Sequence, residues 1–430
     1  DSRFTRKGTG PMYWSAYEYC HDANLAIPEQ RWKDNIDWMA ANLKSSGYDM
    51  ACTDGWIEGA QTVDAAGYVT KYNSSWSNDM FYWDRYLKDR GMTLGYYYNP
   101  LWMTQTAWDR NLRIKGTPYR TRDIIGDVSF NGALRWVDVD KPGAKEWLQG
   151  YVRHFKAMGV VYLRMDFLHY YEDAYGSDRY AKAMQWIREA AGEDLFLSLV
   201  MPHLFNNAAV ERQNGDMIRM SVDTFEGDWG YVSSRWRWGT SNTWPQTGNV
   251  FDGMIRFSHL AVPGDMILDG DFMRMNKLAS DDERRFLQSL MVMGGSALAI
   301  ADQHDTGDGH KWVYQNAALN TLNRLGFVGK PLSADFHDVN GSSRWIGQLP
   351  NGDWIVGLFN REDTHQLRSI ESEGHLGISR WDVGGVRDLW TGQELGMDPP
   401  GWYQVNLKPH ECQVLRVSKR GNRLWAGGWK

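Results

Sequence analysis

"VVYLRMDFLHYY" (residues 160–171) is apolar as far as Asp166 and then turns aromatic and polar. A short apolar run rich in β-branched and aromatic residues is what a buried strand of a parallel sheet requires. This one ends on a carboxylate. The pattern recurs in "MIRMSVDTFEGDW" (217–229), whose apolar part ends on Asp223. Working outward, "PMYWSAY" (11–17), "YDMACTD" (48–54) and "MTLGYYYN" (92–99) read as three earlier strands. "LFLSLVMP" (195–202) lies between the two aspartate strands, and "DMIL" (265–268) and "SALAIAD" (296–302) follow them. Helical patterns separate these runs. One is read as opening with Pro28 at its first helical position, with Trp32, Ile36, Met39 and Leu43 on one face and Gly47 as its stop. Others cover 79–91 and 141–159. Eight strands alternating with helices predict a (β/α)8 TIM barrel over residues 1–330.

Beyond residue 330 the character changes. "RWIGQLPNGDWIVGLFNRE" (344–362) is two alternating runs joined by Pro-Asn-Gly, a hairpin signal. Residues 331–430 are therefore expected to form a small antiparallel β-sandwich. A long insertion at 101–137 carries Trp102, Trp108, Arg110, Arg113, Arg120 and Arg122. Loops of that length in a compact domain are commonly functional.

Composition excludes several function classes. The net charge is −6 with 23% charged residues and no long run of one sign, so no basic footprint for nucleic acid is present. No apolar run is long enough to span a bilayer, and "DSRFTRKGTGPM" at the start has no signal-peptide apolar core. The reading is a mature secreted or periplasmic chain, with a cytoplasmic chain as the alternative. Three cysteines (Cys20, Cys52 and Cys412) are too few for a disulfide framework, although a Cys20–Cys52 bridge stays open. "ADQHDTGDGH" (301–310) gathers two histidines and three aspartates, but their mixed spacing reads as a solvated turn. The 23 tryptophans offer flat apolar faces with one polar handle, suited to a core and to stacking on sugar rings.

In such a barrel the chemistry sits at the C-terminal ends of the strands. The polar strand ends are Asp54, Asn99, Asp166 and Asp223. Any one aspartate could simply cap the following helix. Four converging on one face point instead to a reaction needing a pair of carboxylates, as glycoside cleavage does. One carboxylate attacks the anomeric carbon, and the other protonates the departing oxygen and then activates water. Arg164, two residues before Asp166 and on the same face, is expected to keep it ionised. Phe225 and Trp229, with Glu226 and Asp228, are expected to hold a proton on Asp223. Arg219, four residues before Asp223, is expected to hold a sugar hydroxyl.

"GPMYWSAYE", "YLRMDF", "RMSVD" followed by "GDW", "PGDMI", "MVMGGSALAIAD", "LPNGDWIVGLFNR" and "VRDLWTGQELG" occur in that order. Together they resemble glycoside hydrolase family 27 of clan D. This family holds α-galactosidases, α-N-acetylgalactosaminidases, isomalto-dextranases acting on α-1,6-glucan, and β-L-arabinopyranosidases. The resemblance implies retention of configuration with no catalytic metal and no organic cofactor, with Asp166 as nucleophile, Asp223 as acid/base and Arg219 as a substrate ligand. It implies substrate-binding roles for Tyr17, Asp54, Gly55, Trp56, Asn99 and Arg164, and for Val200 and Leu204 beside the sugar 2-hydroxyl.

Departures from the pattern bear on the sugar. The family's paired aspartates on the second strand are here Asp54 and Gly55, in "TDGW". Losing one charge-assisted hydrogen bond costs about 1.5–3 kcal/mol, which a galactose-specific site would be expected to keep. Glu58 and Asp64 are the nearby carboxylates that would restore it. The family lysine before the nucleophile is Arg164, not an equivalent ligand. The expectation is a retaining α-glycosidase acting on an α-linked oligo- or polysaccharide. The alternatives are an α-galactosidase or α-N-acetylgalactosaminidase, and a non-catalytic carbohydrate-binding barrel.

Overall fold

A computed structural model describes residues 8–58, 60–130 and 133–422. The first seven residues, part of the stretch read for a leader, and two positions of the 101–137 insertion lie outside the described residues. Strands β1 (Met12–Ser15), β2 (Met50–Cys52), β3 (Thr93–Tyr97), β4 (Val160–Met165), β5 (Phe196–Leu199) and β6 (Met217–Arg219) are followed by β7 (Ile267–Asp269), β8 (Phe272–Met273) and β9 (Leu298–Ile300). All are parallel, in the order β7-β6-β5-β4-β3-β2-β1-β9-β8. The expected seventh strand is therefore split. β7 pairs with β6 and β8 with β9, so the two edges of the sheet are joined by Gly270 and Asp271 alone. The barrel closes at that seam.

Alternation along each strand sorts its side chains. Tyr13, Met50, Cys52, Tyr162, Phe196, Met217 and Phe272 fill the barrel interior. Met12, Trp14, Leu163 and Met165 face the surrounding helices. Several tryptophans are consumed there: Trp14, Trp32, Trp76, Trp83, Trp102, Trp136 and Trp147 are all buried. The helices run close to their expected places, with Met80–Lys88 capped by Asp79 and Ala144–Ala157 leading into β4. Pro28 precedes the helix Glu29–Asn42 instead of opening it, because its ψ of 145° is still extended. The three cysteines are free and buried, so Cys20 and Cys52 make no bridge.

The described residues of the 101–137 insertion include antiparallel strands at Trp102–Thr104, Ile125–Phe130 and Leu134–Val137. Four of its arginines bind the insertion itself, while Arg110 donates to the Asp64 carbonyl at 3.4 Å. The Arg122 and Arg135 guanidiniums each lie 4.3 Å from the Trp108 ring. Arg113 and Arg120 donate to the carbonyls of Thr117 and Asn111. The insertion is thus an arginine–tryptophan plug that presents Trp102 and Leu134 to the catalytic face.

The C-terminal sandwich comprises β10 (Arg344–Gln348), β11 (Trp354–Phe359), β12 (Gln366–Glu371), β13 (Val383–Asp388), β14 (Trp402–Leu407) and β15 (Cys412–Lys419). Two-residue strands extend one sheet at Lys330–Pro331 and Glu394–Leu395, while β12 and β14 form the other. The Pro-Asn-Gly turn joins β10 to β11, with Gly352 at φ 93°. Val356, Leu358, Ile370, Tyr403, Leu415 and Val417 pack in the sandwich core.

The sandwich is docked onto the segment that follows β6. Arg361, 2% exposed, reaches Asp252 at 2.6 Å and donates to Ser233 Oγ at 2.7 Å. His410 stacks on Trp229 at 3.9 Å and hydrogen-bonds Glu283 at 2.7 Å. Asp252 and Arg361 are a buried pair, and removing one partner strands the other charge away from water. Asp252→Ala is expected to cost about 3–5 kcal/mol of stability, read by urea unfolding of the full chain.

Candidate active site

Asp54, Asp166 and Asp223 come together on one cavity of about 420 Å³ at the C-terminal ends of the strands. Tyr17, Gly55, Trp56, Tyr97, Trp102, Phe167 and Phe225 line it with them. Three of the four expected polar strand ends therefore converge, each on the first residues beyond its strand.

Asp166 is half-buried and held by two donors. The Tyr97 hydroxyl donates to Oδ2 at 2.5 Å and the Phe167 N–H to Oδ1 at 2.6 Å. Burial pushes its carboxyl up to about 6, against the Tyr97 hydrogen bond. The Asp223 charge adds to the rise, and the Arg219 guanidinium and Phe167 N–H oppose it. At neutral pH the group is mostly ionised, oriented and short of water, which suits a nucleophile.

Asp223 is the more open, its side chain 38% exposed, and is ion-paired with Arg219. A group that must exchange its proton with solvent between steps needs such access. Asp54 is buried, and burial raises its carboxyl to about 7 while Arg164 opposes the rise. Its Oδ1 accepts from the Gly55 N–H at 2.7 Å. Its Oδ2 has no protein partner. A buried unpaired oxygen on a cavity wall is costly unless a ligand hydroxyl satisfies it. Tyr17 accepts from the Phe225 N–H at 3.0 Å and stacks on Phe272 at 4.8 Å.

Strain marks the rim. Trp56 (φ 55°), Phe167 (φ 60°) and Phe225 (φ 49°) are left-handed, each within two residues of a cavity carboxylate. Such backbone costs about 1–3 kcal/mol per residue and persists only where its surroundings enforce it. Here it turns an aromatic ring back onto the cavity.

Beneath the cavity floor runs a buried ladder of charges. Arg164 holds Asp269 at 2.8 Å and Asp271 at 3.0 Å. Asp271 also holds Arg219 at 2.6 Å, and Arg219 holds Asp223. Burial alone would raise the Asp271 carboxyl, but the Arg219 and Arg164 guanidiniums keep it below the usual range. Asp271 further accepts the Thr224 N–H at 2.9 Å, fixing the backbone next to Asp223.

Several expectations are corrected. Arg164 does not sit beside Asp166 or line the cavity; it is 2% exposed, inside the barrel. Its parity was read correctly, but two residues of strand place it one layer deeper, and the cation that favours ionised Asp166 is Arg219. Asn99 does not line the cavity either: it donates to the Asp166 carbonyl at 2.9 Å and so positions the strand end. Val200 is 2% exposed beneath the surface, and Leu204 lines a neighbouring cleft. Glu226 and Asp228 face Arg235, and Trp229 packs on His410, so of that set Phe225 alone borders the cavity. Glu58 accepts from Ser74 and Asp64 from Ala66 and Tyr68, and neither lines the cavity. Arg219 keeps Asp223 in place from a position 2% exposed.

Tyr97 and His21, which line the cavity, and Asp269 and Asp271 beneath it were missed. Tyr97, the last residue of β3, has the parity of Asn99 in "GYYYN", so parity alone could have found it. Asp269 and Asp271 alternate in "ILDGD", a signal masked by the weak seventh strand. Among the described residues, no group of three or more His, Cys, Asp or Glu could hold a metal ion. In the 301–310 turn Asp302 accepts from the Met275 and Asn276 N–H groups, and Asp305 pairs with Arg31.

A parallel barrel with a carboxylate-lined cavity at its strand ends, backed by a β-sandwich, is the architecture of a glycoside hydrolase. Residues 340–417 match the family model described as the alpha galactosidase C-terminal beta sandwich domain. The chain is 44% identical to isomalto-dextranase of Arthrobacter globiformis over 445 residues, 97% of this chain and 68% of that protein. The structure of Arthrobacter globiformis T6 isomalto-dextranase complexed with panose superposes with a TM-score of 0.91, covering 97% of this chain and 74% of that one. A family 27 β-L-arabinopyranosidase from Geobacillus stearothermophilus shares the fold at 19% identity and a TM-score of 0.77, with 97% and 98% coverage. The chain belongs to glycoside hydrolase family 27, and it is a retaining glycosidase.

If Asp166 must be ionised to react, its raised carboxyl sets an acid limb. The value of kcat/KM is expected to fall about tenfold per pH unit below about pH 6. Tyr97→Phe removes a bond that favours the carboxylate, so the limb should move upward by about 1 in pH. An unmoved limb would show that another group controls it.

Proposed function

We propose that this enzyme cleaves α-linked glucan, of the dextran type, by double displacement with Asp166 as nucleophile and Asp223 as acid/base. The Asp166 carboxylate attacks the anomeric carbon as the glycosidic C–O bond breaks, and protonated Asp223 gives its proton to the leaving oxygen. This leaves a glycosyl ester on Asp166. Asp223, now a carboxylate facing Arg219, takes a proton from water, which attacks the same carbon and releases Asp166. Two inversions give retention. Asp54, with its free Oδ2, accepts a sugar hydroxyl, and Trp56, Trp102, Phe167 and Phe225 supply apolar ring faces.

The observation that carries the substrate reading is Gly55. Nothing stands within 4 Å of the place its Cβ would take. The space where the family's second aspartate would sit is thus open, with no other carboxylate swung in to fill it. An α-galactose site would lack one of its hydroxyl ligands, whereas a glucosyl unit of a chain has both the room and no need of it. The similarity to an isomalto-dextranase supports the same reading. A polymer of that kind does not enter a cell intact, which favours action outside the cytoplasm. Among the described residues no helix is long and apolar enough to cross a membrane.

The test is a substrate panel of dextran, panose and p-nitrophenyl α-glucoside, α-galactoside, α-N-acetylgalactosaminide and β-L-arabinopyranoside. Dextran and panose should be hydrolysed and the α-galactoside left. The new reducing end should appear first as the α-anomer by NMR. Asp166→Asn should lower kcat by about 10³-fold or more with the fold intact. Gly55→Asp has room but sets a third buried charge beside Asp54 and Asp166; it should reduce dextran turnover at least about tenfold. α-Galactoside turnover matching that of dextran would sink the glucan reading.

A further inference from the structure

A second cleft, of about 410 Å³, opens on the catalytic face and shares no lining residue with the catalytic cavity. It lies between the segment leaving β5 and the segment leaving β6, two neighbouring strands. His203 and Phe205 line it from one side, Asn242 and Gln246 from the other, with Arg256 and His259 completing the wall.

Its chemistry is that of a sugar site. Phe205 is a 43% exposed ring stacked on His203 at 4.7 Å and 17°, a rigid flat apolar surface facing water. Amides on both sides offer donors and acceptors suited to hydroxyl pairs. His203 is 4% exposed; its Nε2 pairs with Asp173 at 2.7 Å, and its Nδ1 is buried without a partner. Gln246 donates to the His203 carbonyl at 2.5 Å and ties the two walls together. His259 bonds Asn207 at 2.7 Å, within a turn whose Asn206, Asn207 and Ala208 are all left-handed. His203 thus brings to the cleft wall a buried ring nitrogen that no protein group satisfies.

Trp244 ties this segment to the catalytic aspartates. Its ring covers the Arg219 guanidinium at 4.9 Å, and Arg219 holds Asp223. Asn242 and Gln246, two residues to either side of that tryptophan in sequence, line the second cleft.

We propose that this cleft is a secondary glucan-binding site, in which Phe205 stacks on a glucosyl ring and the His203, Asn242 and Gln246 side chains bind its hydroxyls. It retains a long chain whose cleavable bond lies in the catalytic cavity. The proposal rests on the α-glucan reading of the active site, and the experiment separates the two.

Phe205→Ala and Asn242→Ala are both at exposed positions, and neither residue lines the catalytic cavity. Each should raise KM for dextran about fivefold while leaving kcat and the kcat/KM for panose unchanged. In native gels containing dextran, retardation of the full chain should weaken by a similar factor for both variants, also on the Asp166→Asn background. Unchanged dextran KM and retardation would overturn the proposal. A parallel loss on panose would overturn it too, because the cleft would then be part of the catalytic cavity. Wild-type protein that turns over neither substrate but is retarded less after Phe205→Ala would remove the catalytic reading and keep the binding site.

Discussion

Asp271 sits where the barrel closes, and the site is built around its charge. It lies at the two-residue seam between β7 and β8, left-handed at φ 67°, and fully buried between Arg164 and Arg219. A lone carboxylate there would meet a desolvation cost of several kcal/mol. Two guanidiniums and the Thr224 N–H compensate it, and each of those partners is thereby fixed. Arg164 is locked between Asp269 and Asp271 within the barrel. Arg219 is locked with one end toward Asp271, leaving the other for Asp223. Asp269 and Asp271, two residues apart, share a face toward Arg164, and from the seam Asp271 also reaches Arg219. Closure of the fold and placement of Asp223 are thus one constraint.

Asp166 is placed by different means. Tyr97 and Asn99 come from β3 and its end, the neighbour of β4, and grip the carboxylate and the backbone carbonyl of the same residue. Asp223 lies instead at the head of a long segment, and the C-terminal sandwich clamps that segment through Arg361 and His410. The proposed pair therefore divides into a carboxylate held by the barrel alone and one held jointly by the seam and the second domain. This division matches the two roles: a nucleophile needs fixed geometry, while an acid/base must change protonation and face water.

The alternation of apolar strands and helices made the barrel legible, because period-2 and period-3.6 patterns do not mimic each other over eight repeats. The Pro-Asn-Gly turn did the same for the sandwich. Asp166 and Asp223 were legible because a carboxylate ending an apolar run is costly unless it is used. Sequence failed where depth mattered more than parity. Arg164 and Asp166 share a face, yet one lies inside the barrel and the other on its rim. It failed also at the seam, since nothing in "ILDGD" says that the strand breaks there. Val200 and Leu204 were misplaced because the chain leaving β5 turns left-handed at Met201 and Leu204 and carries Leu204 toward the neighbouring cleft.

That displacement bears on specificity. Where the β5 segment would close over a sugar, the cavity is bordered instead by Trp102 and Leu134 from the insertion. At Gly55 a side chain is missing altogether. The polar ligands that would encircle one galactose are thinned out, and the aromatic surface that accommodates successive ring faces is increased. A hydroxyl-reading pocket discriminates strongly because an absent partner leaves buried polar groups unpaired. A stacking surface discriminates weakly by sugar but gains with every further unit of the chain. The arginine–tryptophan plug of the insertion holds that surface rigid, so the ordering cost is met on folding rather than on binding. On the proposed glucan reading, selectivity for a polymer over a single sugar follows from what the cavity lacks as much as from what it contains.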